Sequence, residues 1–468
     1  MMRLKLLSIL FIITIIGNIS AQEKHPVLTG EVEISISEGT FECDLTLSDI
    51  PRIKDYFIRL NSGMNILHMR SKKPHDFLVY YDRSLNDTLS SGESNAYYFG
   101  DNTGKNKFLP ESIQFKYTGK FPVVRDTIED YSRKDWKGNI AFNKNSVRSD
   151  GFQSAWYPVL YDITNDQVLD EVFYDIKLTC SDCKSLYVNG NKPIYAKSYN
   201  FKSQSPKELT IFCGNYEFSE FNNTYFLNSG LSGQQLKEFG ELINSYKAYY
   251  ADHLKIPFDQ PVSFVQTTPT SKKDGWMFVS YPTIMSIDWQ NGLKSIVEPE
   301  YEKIYRPYIA HELGHFYFGT HKVFNSALGD MMSEGFSEYL SLQLTKDRIG
   351  KDVYEKMIDR KIKNLGSFNP TPFGKINSES EYINRQLYSY NYAPLIFSSI
   401  EKEIGEQKMW EWLNLLLSTS TKFTNYNFLV STLGGVLKNE TKLNDLISKY
   451  FENKNSLENA INKLKEID

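Results

Sequence analysis

The apolar residues of this chain keep one period in its first half and another in its second, so no single kind of element can run through both. Val32, Ile34 and Ile36 alternate with polar residues, as do Phe41, Cys43, Leu45 and Leu47. Val172, Tyr174, Ile176, Leu178 and Cys180 repeat that period of two, and turn residues such as Asn189-Gly190-Asn191 separate such runs. The pattern predicts an N-terminal antiparallel β domain over residues 22–221. Near Ser229-Gly230 the spacing becomes helical: Leu236, Phe239, Leu242, Ile243, Tyr246 and Tyr250 fall on one face. Short runs at Pro261 to Gln266, Met277 to Tyr281 and Ile284 to Ile287 read as strands, and the chain after Pro307 reads as mainly helical. The expected class is α+β, with a small sheet followed by helices over residues 222–468 and no internal repeat.

Charge and cysteine content narrow the partners. The 468 residues hold 53 Lys+Arg against 57 Asp+Glu, a net charge of -4 with no basic stretch, which argues against a nucleic-acid partner. Arg3 and Lys5 precede an apolar run from Leu6 to Ile16, closed by Ser20 and Ala21. This is the pattern of a secretory signal peptide over residues 1–21, so a secreted or periplasmic protein is expected. A membrane anchor is the alternative, but a span needs about 20 apolar residues, and no later segment resembles one. Cys43, Cys180, Cys183 and Cys213 allow three pairings in an oxidising compartment. Cys180 and Cys183 form a C-x-x-C; without a second such pair it reads as a structural disulfide or buried thiols, not a zinc ribbon or redox pair.

The chemistry concentrates at His311-Glu312-Leu313-Gly314-His315. On a helix, histidines four residues apart lie one turn above the other on one face, where both can grip one zinc ion. Glu312 is placed beside them to contact a water at the metal instead of the metal itself. Pro307 is a natural first residue for this helix. A pair of ordinary core or surface histidines is the bland alternative. Two residues could supply a third ligand. His321 lies ten positions after His311, but the sharp turn that spacing needs calls for Gly where Phe318 stands. Glu334 lies in a segment whose Met332, Phe336, Tyr339 and Leu340 form a helical apolar face, with Asp330 as the expected N-cap. A carboxylate from that second helix completes a His2Glu set with one open position, so one zinc ion per chain held by His311, His315 and Glu334 is the stronger expectation. Glu338, one turn further on, either accepts a hydrogen bond from a ligand histidine or is a solvated surface carboxylate.

His311 to Gly319, the eighteen residues between His315 and Glu334, and Ser333-Glu334-Gly335-Phe336 resemble the aminopeptidase N and leukotriene hydrolase family of zinc metallopeptidases. Its pattern is HExxH, eighteen residues, then E within NEGF. The resemblance implies a β-sheet domain ahead of a thermolysin-like catalytic domain; Trp156-Tyr157-Pro158 also looks like a family feature. It implies a peptide or protein substrate, with Glu312 as the general base. Tyr390-Asn391-Tyr392-Ala393 resembles the family's Y-x-K-G segment, which would make Tyr390 the donor to the tetrahedral oxygen; the reading of Tyr390 as a core aromatic stays open. The family's G-x-M-E-N segment aligns with Ser271-Lys272-Lys273-Asp274-Gly275, so Asp274 would stand where the family's amine-binding Glu does. The residues after Trp410-Glu411-Trp412-Leu413 leave room to finish a catalytic domain but not for the family's large C-terminal helical domain, so a more open cleft is expected. A zinc hydrolase acting on a non-peptide substrate, or a non-catalytic secreted protein with a structural zinc ion, are the alternatives; the sequence does not fix the oligomeric state.

Overall fold

The computed structural model describes residues 25–72, 77–81, 94–101, 104–105, 108–124, 140–143, 145–151, 154–266, 276–287 and 291–466. The expected signal peptide and Asp274 lie outside the described residues. Period-two alternation in the first half gives three sheets. The largest runs in the order Ser198–Lys202, Phe173–Cys180, Val27–Ser35, Thr40–Ser48, Ile113–Lys120 and Met64–Ser71. Its inward positions, among them Val32, Ile34, Phe41, Leu45, Ile176 and Leu178, are buried. The pairing departs from the expected antiparallel arrangement at one central place, where Val27–Ser35 and Phe173–Cys180 run parallel. A parallel pair needs a long crossover, and here the intervening strands supply it. A shorter parallel pair joins Val123–Val124 to Ile140–Asn143.

Trp156 is fully buried under these sheets, its Nε1 donating to the Leu209 carbonyl at 2.7 Å, and its own carbonyl accepts from the Tyr117 hydroxyl at 2.8 Å. A large aromatic ring can be this deep because its one polar atom is satisfied. Cys180 and Cys183 form a disulfide, while Cys43 and Cys213 are buried thiols.

The second half opens with a five-stranded sheet in the order Phe218–Phe221, Thr224–Leu227, Ser263–Gln266, Thr283–Ile287 and Trp276–Ser280. Its first hairpin begins at Phe218, so the chain enters the second sheet ahead of residue 221. Tyr187 and Phe212 of the first half pack with Leu227, Val265 and Met285 of this sheet. The contact is polar as well. Asn189 Nδ2 donates to the Tyr281 carbonyl at 2.9 Å, and Asn189 Oδ1 accepts from the Thr283 hydroxyl at 2.7 Å. Buried amide and hydroxyl groups tied in this way leave little room for the halves to slide.

Ten α-helices accompany this sheet among the described residues, the first between its second and third strands along the chain. Helix α1 (Gly233–Leu254) starts at a capping box in which Ser232 and Gln235 satisfy each other's backbone N–H. Helix α2 (Glu302–Gly314) carries the HExxH residues and begins ahead of Pro307, which sits inside it instead of starting it. A proline there removes only the bond to the Lys303 carbonyl. Helix α3 (Gly329–Leu344) lies against α2, and α4 (Lys351–Leu365) follows a π-turn over Thr345–Ile349. A single turn, α5 (Arg385–Leu387), runs through the π-turn Tyr388–Tyr392 into α6 (Ala393–Ile404). Helices α7 (Glu406–Ser418), α8 (Tyr426–Leu437), α9 (Glu440–Leu446) and α10 (Ser456–Lys465) complete the bundle. None of the described helices is long and apolar enough to cross a membrane.

Helices α2 and α3 touch backbone to backbone. A Cβ on Gly314 would lie 3.1 Å from Ser337 Cα, and on the far side of α3 a Cβ on Gly335 would lie 3.0 Å from Ala393 Cβ. Phe336 then stacks on Phe397 at 4.0 Å, fixing the rotation of α3. Gly314→Ala should therefore push α2 from α3 and destabilise the protein by about 1–3 kcal/mol, the usual range for overpacking. Urea unfolding would measure it, and an unchanged midpoint would contradict this close packing.

Candidate metal centre

Helical spacing on α2 and the close approach of α3 bring three ligand atoms to one point. His311 Nε2 and His315 Nε2 lie 3.1 Å apart, and Glu334 Oε2 lies 3.3 Å and 3.2 Å from them. Ligands bound tetrahedrally at about 2.0–2.1 Å stand about 3.3–3.4 Å from one another. The triangle observed has that size. The outer face of each imidazole supports the same reading. His311 Nδ1 faces Glu338 Oε2 at 2.8 Å, and His315 Nδ1 faces the Phe318 carbonyl at 3.1 Å. A carbonyl and an ionised carboxylate only accept, so each Nδ1 keeps a proton and each Nε2 is directed at Glu334, where it can take either a proton or a metal ion. Glu334 Oε2, itself buried, has no hydrogen-bond donor among the described residues. Three acceptors converging in this way fit a metal cation.

The field at this point favours positive charge. Burial opposes the charged ring of His311, yet the Glu334 and Glu338 carboxylates outweigh it and raise its pKa to about 10. Burial also acts against the charged form of Glu338, but Lys361 and His311 prevail and lower it to about 2. Glu334 is held well below the usual carboxylate range, chiefly by the two histidines working against burial. Glu312 differs: burial lifts it above that range, and the histidines only partly offset this. Its side chain lines the cleft beside the triangle and is 6% exposed.

Apart from Asp274, which lies outside the described residues, each site residue expected from the sequence can now be placed. Glu334, not His321, completes the triangle with His311 and His315. His321 contacts Phe316, lines the same cleft and is not one of the set. Glu338 faces His311 and is no surface carboxylate. Tyr390 lies in the π-turn after α5, its ring 5.6 Å from that of His311 and nearly parallel to it. Burial, then the Glu334 charge, raise its phenol well above the ordinary value, so it keeps its proton. Asp330 does not cap α3. Leu328 occupies the cap position, and Asp330, in the first turn, instead accepts from Arg385 at 2.6 and 2.8 Å and from Ser389 at 2.8 Å.

Two cations were not expected. Arg385 holds Glu334 Oε1 at 2.9 Å, leaving Oε2 for the metal position, and its guanidinium lies 5.5 Å from the centre of the Tyr390 ring. Lys361 is 7% exposed; its ammonium binds Glu338 Oε1 and donates to the Tyr390 carbonyl at 2.7 Å. Lys361 thus ties the outer partner of His311 to the segment that carries Tyr390. A signal for it existed: Ile358, Lys361 and Leu365 share the buried face of α4, an unusual place for lysine.

The triangle opens onto a cleft of about 2470 Å³ lined by both halves of the chain, Ile53, Tyr161 and Asp166 from the first and Tyr308, Val323 and Glu334 from the second.

No protein-family model and no curated protein matches the sequence. Solved structures do match. An M1 zinc metallopeptidase from Deinococcus radiodurans has a TM-score of 0.62 at 12% identity, over 92% of this chain and 93% of its own. A variant of that peptidase, bound to a Tyr-Ser-Ala substrate, gives 0.62 at 13% identity over 92% and 93%. The native leukotriene A4 hydrolase from Saccharomyces cerevisiae gives 0.63 at 11% identity, over 92% of this chain and 67% of its own.

The Lys361–Glu338 pair gives a direct test. Lys361→Met leaves a buried carboxylate without its cation and should cost about 3–5 kcal/mol in denaturant unfolding. Adding Glu338→Gln should recover most of that, and no recovery would show that the two groups are not coupled. Glu338→Gln alone should weaken metal binding about 10–100-fold in competition with a chelator. From its sheets through its helices, the chain has the fold of the M1 zinc metallopeptidases, and within that fold it carries a buried His-His-Glu set able to hold a metal ion.

Proposed function

We propose that this chain is an exported zinc metallopeptidase, acting outside the cytoplasm on peptides or proteins. The observation that carries the reading is the triangle of His311, His315 and Glu334, with a basic carboxylate beside it. A purely structural zinc ion has four protein ligands and no use for such a neighbour. When bound, zinc would supply positive charge that polarises the scissile carbonyl and acidifies water. Glu312, its pKa lifted by burial, takes the proton of the attacking water and returns it to the leaving amine. Tyr390 keeps its proton and donates to the oxygen that gains negative charge as the carbonyl is attacked. Arg385 and Lys361 hold Glu334, Glu338 and Tyr390 in fixed relation while this happens.

The peptide bound by the bacterial neighbour and the size of the cleft support a peptide as substrate. The likeness to a leukotriene A4 hydrolase supports a second reading, hydrolysis of a non-peptide substrate on the same site. Amine recognition through Asp274 would make the enzyme an aminopeptidase. Free-amine and N-blocked peptides offered side by side separate exo- from internal cleavage, and cleavage of neither leaves the second reading.

Two substitutions test the roles. Glu312→Gln should retain one zinc ion and lose hydrolysis, and a variant that keeps turning over would remove Glu312 from the mechanism. Tyr390→Phe should lower kcat about 10²–10³-fold with little change in KM, since its hydrogen bond strengthens only as charge develops. A change confined to KM would point to substrate binding instead.

A further inference from the structure

A second set of ligand-bearing side chains meets where three separate elements come together. His253 is in the last turn of α1, Asp347 lies in the π-turn between α3 and α4, and Glu406 is the first residue of α7. One ring nitrogen of His253 and one carboxylate oxygen of each acid all lie within 4.8 Å of one another. Ligands held tetrahedrally at about 2.0–2.2 Å stand about 3.3–3.6 Å apart, so the side chains would draw together by about 1.5 Å at most to close the set.

The preparation of the histidine is what distinguishes this place from a chance meeting of surface charges. His253 Nδ1 lies 2.8 Å from the Tyr249 carbonyl. A carbonyl only accepts, so Nδ1 carries the proton and Nε2 is left with its lone pair, the tautomer a metal-bound histidine needs. The ring is held between aromatic neighbours, 4.3 Å from Tyr249 and 4.6 Å from Trp410, which fixes its orientation. Asp347 is also oriented, because the Tyr249 hydroxyl donates to its Oδ2 at 2.7 Å. Glu406 is held only loosely: Lys346 sits 3.9 Å away and is engaged more closely by Glu401 at 3.1 Å. Tyr249 therefore serves both other ligands, the histidine through its carbonyl and the aspartate through its hydroxyl.

We propose that His253, Asp347 and Glu406 form a second site for a divalent transition-metal ion of the zinc class. One imidazole, two carboxylates and water suit zinc better than calcium, which favours oxygen ligands alone. The ion would staple the end of α1 to the start of α7 and to the turn after α3, three elements distant in sequence. It would act on stability and leave the His311 centre untouched.

Zinc would be titrated into the full chain and bound metal counted after gel filtration. The wild type should bind one equivalent more than His253→Gln and one more than Asp347→Asn, with the melting temperature rising further on zinc addition in the wild type than in either variant. Hydrolysis, if present, should be equal in all three. The comparison is a difference between chains, so it stands apart from whether the His311 centre is a peptidase. Equal metal content in wild type and variants would overturn the proposal. So would a calcium-induced stabilisation that survives His253→Gln, since the imidazole would then not be a ligand.

Discussion

Two imidazole nitrogens and a carboxylate oxygen meet in a triangle with edges of 3.1–3.3 Å, an arrangement that positive charge at its centre would stabilise. Much of the helical half is arranged to make that triangle possible. Gly314 lets α2 reach the backbone of α3, and Pro307, Ala310 and Ser341 tie these helices to their surroundings through Ser341 Oγ to the Pro307 carbonyl and the Tyr250 hydroxyl to the Ala310 carbonyl. On α3 the carboxylates of Glu334 and Glu338 are one turn apart, one directed at the inner nitrogens of the histidines and the other at an outer one. Each of these acids has its own cation, and both cations also touch the segment of Tyr390. The charges form one connected unit, each buried ion facing an opposite one.

The β half matters to the site because its residues line part of the cleft. Its position relative to the second sheet is set by the buried contacts of Tyr187, Asn189 and Thr210 with Ser280, Tyr281 and Thr283. These are polar contacts among packed aromatic rings, so the β half is joined to the catalytic half by directional bonds as well as by apolar area.

The features legible in the sequence were those governed by short periods. Alternation gave the strands, helical spacing gave α1 and α3, and the four-residue repeat of histidine gave two ligand positions. Glu334 was legible because its helix has its own apolar face. What the sequence hid depends on partners far along the chain. The parallel pairing of Val27–Ser35 with Phe173–Cys180 follows from a long crossover that no local pattern marks. Local preference puts Pro307 at a helix start, yet α2 begins a turn earlier, at Glu302, and its buried residues lie from Pro307 onward. Local pattern suggests a capping role for Asp330, but a guanidinium 55 positions later in the chain claims it. Arg385 and Lys361 carry no motif; only the folded geometry shows that they meet the acids of α3.

Lys361 also sets a lower limit on how much of this protein makes up a working unit. The two histidines and Glu334 come from α2 and α3 alone, and a designer could graft that pair of helices onto another bundle. Such a transplant would leave behind α4, and with it the ammonium that neutralises Glu338 and anchors the carbonyl of Tyr390. The smallest portable piece is therefore four segments long, and any minimal scaffold built from the zinc-ligand helices alone would inherit an acid without its counterion.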